Sequence, residues 1–264
     1  METKKYKLTD ETKNIYGRTL YRIEALRDFS DVKKGDKGGY IEKEENLSQT
    51  DDCWIYGNAK VFDNAKVYGN AIVFGNAKVY GKAEVYHNAV VCGNAEIYGK
   101  AKVFGHARVY GDAVVYGTAR VYDNAKVYDY AEVYDKAWVY GNAEVFNNAQ
   151  VYCNALVIDN ARVYNNAKVC DNAMVRGNAN VYSHAEVCGN AEIATDSDYI
   201  VFKNWWSSGR GCTWTKSNNM WKVGFFYGTG EELIEEAYKD SEKTGEEYEG
   251  VVKYVESIIR NGSI

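Results

Sequence analysis

Val73-Phe74-Gly75-Asn76-Ala77-Lys78 runs without a break into Val79-Tyr80-Gly81-Lys82-Ala83-Glu84, and the same six-residue cycle continues in both directions. Val or Ile occupies every sixth position from Ile55 through Ile193, 24 positions in all, and Ala fills every sixth position from Ala59 through Ala191, 23 of 23. A fixed short period is the signature of a solenoid. Within each unit Ala, one outward residue and Val form a short flat in which side chains alternate, so Ala and Val point inward. The residue after Val then points outward, and it is Tyr or Phe at 18 of 24 positions. Next comes a pair rich in Gly, Asp and Asn, as in Gly57-Asn58 and Asp159-Asn160, residues that tolerate positive φ in a tight corner.

A flat and a corner, repeated, make a polygonal coil. This hexad resembles the repeat of left-handed parallel β-helices, in which an aliphatic residue and a small residue four places on build one side of a triangular prism. The resemblance implies three hexads per coil, a left-handed path and about 8 coils; at roughly 4.8 Å per stacked strand the prism is about 38 Å tall. Residues 18 apart then sit above one another. That register stacks Phe62, Tyr80, Tyr98, Tyr116, Tyr134 and Tyr152 in one aromatic column and Tyr68, Tyr86, Phe104, Tyr122 and Tyr140 in another. It also alternates charge along Lys66, Glu84 and Lys102 and along Lys126, Glu144 and Arg162. The fold class is therefore an all-β solenoid with a small N-terminal β cap (1–53), a hexapeptide shaft (54–195) and a C-terminal Trp-rich α+β cap (196–264).

The caps are read from where the rhythm fails, since an open end of stacked strands recruits other chains unless covered. Within 1–53, Ile41, Leu47 and Cys53 keep sixfold spacing in register with the Ala column, which predicts a degenerate first coil. The stretch from Leu26 to Ile41, with Asn46-Leu47-Ser48-Gln49 and Asp52-Cys53-Trp54-Ile55-Tyr56, resembles the N-terminal cap of the YdcK-like hexapeptide proteins, classed with transferases on their fold. Past Ile193, residues 199–230 hold no Asp or Glu but Lys203, Arg210, Lys216 and Lys222, with four of the six Trp. Two helices are predicted beyond, opened by the capping boxes Thr229/Glu232 and Thr244/Glu247, the second stopping at Gly262. Trp214 to Trp221 with Gly228-Thr229-Gly230-Glu231-Glu232-Leu233 resembles the tail of phage and prophage hexapeptide proteins, which implies a viral origin and a host-defence antagonist.

Composition excludes several functions. The chain has 264 residues, 46% hydrophobic and 26% charged, no Pro and a formal charge of -5; no apolar run of membrane-spanning length and no leader-like start are seen, so a soluble cytoplasmic protein with reduced thiols is expected. Residues 55–193 balance 13 Lys and Arg against 13 Asp and Glu, which argues against DNA binding by the shaft. Thr118 is the lone Thr of that span, too few for an ice-binding face.

Two chemistries remain. β-helix proteins of this type resemble CoA-dependent acyltransferases that work as trimers with a His general base, and His87, His106 and His184 are the available imidazoles. All three fall at corners of uninterrupted hexads, where a solvated corner residue is the simpler reading; His184, nearest the C-terminal cap, and His87 are the candidates for acetyl-CoA chemistry. Cys170 and Cys188, one coil apart, are close enough for a disulfide, while Cys92 and Cys153 stand alone and no metal site is expected. The alternative is a non-catalytic binding or scaffold protein that captures a nucleotide-like anion or a host protein through Trp205, Trp206, Arg210, Trp214, Lys216 and Trp221. Indoles stack on bases while Arg and Lys hold phosphates, although the same Trp would equally serve as the core of a small cap. Exposed aromatic columns favour self-association, with a homotrimer the family-like expectation.

Overall fold

The computed structural model describes residues 4–204, 206, 209 and 211–262. The hexads form 24 two-residue strands, from Trp54–Ile55 to Glu192–Ile193, that stack in parallel on three faces. Face I runs from Trp54–Ile55 to Asn180–Val181, face II from Lys60–Val61 to Glu186–Val187, and face III from Lys66–Val67 to Glu192–Ile193. Every pairing within these faces joins residues 18 apart, as in Val61 with Val79 and Val121 with Val139. The Ala and Val columns are sealed from solvent and form one continuous core along the rod.

Corners follow the same logic. The first corner residue has positive φ throughout, whether Gly or not: 57° at His87, 60° at Asp159, 57° at Cys153. Where that residue is Asp its carboxylate accepts the N–H of the equivalent residue one coil on, as Asp159 does from Gly177 at 3.0 Å and Asp171 from Gly189 at 3.0 Å. The second corner residue builds amide ladders, with Asn124, Asn142, Asn160 and Asn178 each donating to the next at 3.0–3.2 Å. On the flats, Lys126 and Arg162 both reach Glu144, and Lys102 reaches Glu84. Rings one coil apart are parallel with centroids near 5 Å, in the two expected columns and in a third through Tyr110, Tyr128, Phe146, Tyr164 and Tyr182.

The solenoid has about nine turns, the eight coils of the hexads and the expected degenerate coil, which adds a level on faces II and III. Its register differs from the expected one. Ile41 pairs with Val61 and Leu47 bridges Val67, each 20 residues on, so both stand in the Val column; two extra residues in the corner between Leu47 and Trp54 restore the 18-residue spacing, and only Cys53 of the three precedes its strand as the column Ala do. Gly39 takes the Ala slot of this rung, where an added Cβ would lie 2.4 Å from Ile55 Cγ2 and 2.6 Å from the Ala59 carbonyl. Antiparallel strands Tyr6–Ile15 and Arg18–Ala25 extend face II and cover this end.

At the far end Tyr199–Lys203, Gly211–Thr215, Met220–Val223 and Phe226–Gly228 form an antiparallel meander, followed by helices α1 (Gly230–Asp240) and α2 (Glu242–Arg260). Thr229 caps α1 with the expected box. α2 starts three residues earlier than its expected Thr244 cap: Ser241 accepts the Thr244 N–H, so Thr244 lies inside the first turn. Cys170 and Cys188 are joined by a disulfide, replacing two expected free thiols.

Candidate recognition site

The strand Gly211–Thr215 lies across the end of the shaft. The backbone at Gly211 sits so close to His184 that a Cβ would come within 2.7 Å of the His184 carbonyl, Thr213 Oγ1 accepts the Glu186 N–H at 2.9 Å, and Ser217 Oγ accepts the Glu192 N–H at 2.7 Å. In an antiparallel meander, alternate connections emerge at the same edge. Lys203 at the end of the first strand, Gly211 at the start of the second and the Gly224-Phe225 turn therefore share one edge, where Cys212 pairs with both Phe202 and Val223. Phe225 at this tip is 99% exposed. Sequence reasoning missed it, though a Phe225-Phe226 pair directly after Gly224 signals that one ring turns inward and its neighbour outward.

Not all the expected binding residues converge here. Trp214 and Trp221 are cross-strand partners, and both are buried against Leu233, Tyr248, Val252 and Val255 of the two helices. The Trp214 indole N–H donates to Asn219 Oδ1 at 2.9 Å. Their ring faces are consumed by the cap core, so they cannot offer a stacking surface to a ligand. Trp206 is half-buried and meets Tyr248 edge to face at 5.1 Å. Lys216 is exposed, in the turn at the opposite edge from Phe225, and Lys203 is exposed beside Gly211. Trp205 and Arg210 lie outside the described residues. Lys222 faces Glu186 of the shaft at 4.0 Å and bonds the Gly224 carbonyl.

The three imidazoles do not meet. His87 packs edge-on to Tyr86 and Phe104, and His106 Nε2 joins the amide ladder at 3.3 Å from Asn88 Nδ2. His184 closes a shallow corner groove of about 450 Å³ with Tyr130, Asn148 and Asn166 on its walls. Among the described residues none of the three forms a hydrogen bond or ion pair with a carboxylate, the partner that would fix a general base in one tautomer. Of the thiols, Cys212 is fully buried and pushed up to about 12 by desolvation, which keeps it a protonated core thiol. Cys170, Asp171 and Cys188 bring three potential ligand atoms together, but the two sulfurs bond each other.

Residues 101–117, one coil of the shaft, match the family model described as YdcK Beta solenoid repeat. The match supports the resemblance to the YdcK-like proteins and leaves the phage-like resemblance of the tail without support. No curated protein matches the chain. No helix is long and apolar enough to cross a membrane.

Proposed function

We propose that the protein is a non-catalytic recognition scaffold, in which a rigid shaft carries a binding surface at its C-terminal tip. The observation that carries this reading is the edge of the meander at which a fully solvated Phe225 ring and the exposed Lys203 both stand, with Gly211 of the same edge against the His184 corner. A fully solvated aromatic ring contributes nothing to the cap core, and aromatic rings beside cations are the composition of a site for an anionic, nucleotide-like ligand. The unbroken ladders along the shaft supply stiffness rather than a cleft, and His184 without a carboxylate partner is suited to contact rather than to proton transfer.

The test is mass spectrometry of small molecules released by heating the purified protein, followed by calorimetric titration with adenosine and guanosine mono- and triphosphates. Binding should be lost in Phe225→Ala and Arg210→Ala while the melting temperature stays unchanged. Turnover of acetyl-CoA with an acceptor panel, abolished in His184→Ala, would overturn the proposal in favour of acyl transfer.

A further inference from the structure

On two faces the outward residues between Ala and Val in the C-terminal half are polar or charged: Lys126, Glu144 and Arg162 on face I, Glu132, Gln150 and Lys168 on face II. Face III differs. Its outward column climbs through Arg120, Trp138, Leu156, Met174 and Glu192, each paired with the next. Beside it stand Tyr122, Tyr140, Ile158 and Arg176, with the two Tyr rings stacked at 4.7 Å. The Arg120 guanidinium lies 4.8 Å over the Trp138 ring, and among the described residues it pairs with no carboxylate. A groove of about 510 Å³ opens between Arg120, Trp138, Tyr140 and Leu156. Three apolar side chains in succession are thus bounded below by a cation and above by an anion.

We propose that face III binds a second copy of this chain, inverted, about a two-fold axis through Leu156. Inversion of the column about that residue leaves Leu156 facing itself, brings Trp138 against Met174 of the other copy, and sets Arg120 opposite Glu192. The neighbouring column obeys the same operation: Ile158 faces itself and the Tyr140 ring meets Arg176. A two-fold contact must be self-complementary in this way. The parallel arrangement of the same two faces would set Arg120 against Arg120 and Glu192 against Glu192, a like-charge contact that disfavours it. Trp138 and Met174 supply the apolar contact, with sulfur against an indole, and the cation and anion fix the register. Arg176 already pairs with Glu192 within one chain, so the opposing Arg120 completes a three-charge cluster at each end of the patch. The inference is independent of the recognition reading, whose residues lie at the tip.

Sedimentation velocity of the full chain across the micromolar range tests it. The wild type should be a dimer. Leu156→Glu sets two carboxylates together on the axis and should weaken association by roughly a hundredfold or more; other outward positions hold Glu, so the variant keeps its fold, checked by an unchanged melting temperature. Arg120→Glu and Glu192→Arg should each weaken the dimer, and the double variant should recover it, which only the inverted register permits. A wild-type monomer, a trimer, a dimer indifferent to Leu156→Glu, or single charge reversals that the double variant fails to rescue would each overturn the proposal.

Discussion

Lys5 Nζ donates to the Cys53 carbonyl at 2.9 Å and to the Asp51 carbonyl at 2.6 Å, and it lies 3.5 Å from Cys53 Sγ, in a site closed to solvent at both side chains. The ammonium ties the entry to strand Tyr6–Ile15 to the corner that carries the two-residue insertion, which explains how a rung with irregular spacing is held. Desolvation pulls Lys5 below the ordinary lysine range, against the opposing influence of Cys53. Removing the side chain leaves two carbonyls unmet at a sealed end. Lys5→Ala is expected to lower the unfolding free energy by about 2–4 kcal/mol, read from chemical denaturation, and to raise hydrogen exchange in Tyr6–Ile15. An unchanged stability would show that water replaces the amine.

The ring columns make a positional prediction. Tyr116 stacks on Tyr98 at 5.0 Å and on Tyr134 at 4.8 Å, whereas Tyr152 stacks on Tyr134 alone, because the column continues into the Cys170–Cys188 disulfide. Each offset stack is worth about 0.5–1.5 kcal/mol beyond the area it covers. Tyr116→Ala should therefore cost more than Tyr152→Ala by about one such increment, measured by urea titration of both variants. Equal losses would mean that the columns add area without specific stacking.

The sequence made the shaft legible because every constraint on it is local and repeated: an inward Val, a small inward Ala, a corner that accepts positive φ. What it hid is instructive. Ile41, Leu47 and Cys53 are spaced by six, yet the first two align with Val61 and Val67, because an insertion inside one corner shifts register without disturbing the visible rhythm. Ser241 displaces Thr244 as the cap of α2 because either hydroxyl suits the role, and the helix already runs through Gly245, whose backbone lies against the Tyr238 ring. Composition showed four Trp among cations but not their orientation. Trp214 and Trp221 are buried as cross-strand partners on the helix-facing side of the meander, a relation visible only once the strand register is known.

Alkaline pH should unfold the protein for a definite reason. Burial in the ladders, reinforced by neighbouring carboxylates and phenols, pushes Tyr116, Tyr128 and Tyr134 up to about 12, and Tyr122 likewise through burial and Tyr140. In the unfolded chain tyrosine ionises near 10. Between these values the folded state holds protons that the unfolded state has lost, so stability falls as pH rises through that window and is unaffected by these groups below it. Thermal melts from pH 8 to 11 should show a melting temperature that is flat and then drops above about 10, while phenolate absorbance of the folded protein lags that of the denatured chain. A melting temperature that holds through pH 11 would contradict the raised values.

Trp214 and Phe225 separate the two roles assigned to the C-terminal cap. The first is buried against both helices and hydrogen-bonded to Asn219; the second is 99% exposed at the turn. Trp214→Ala empties a cavity under α2 and should cost about 3–5 kcal/mol, seen as early loss of the cap's helical signal in urea. Phe225→Ala removes a ring that touches no core residue and should shift stability by less than about 0.5 kcal/mol, so any loss of ligand retention in that variant reports contact rather than folding. The discriminating comparison is the pair: a Phe225→Ala protein as unstable as Trp214→Ala would place this ring in the cap's own packing and remove the basis for recognition at the tip.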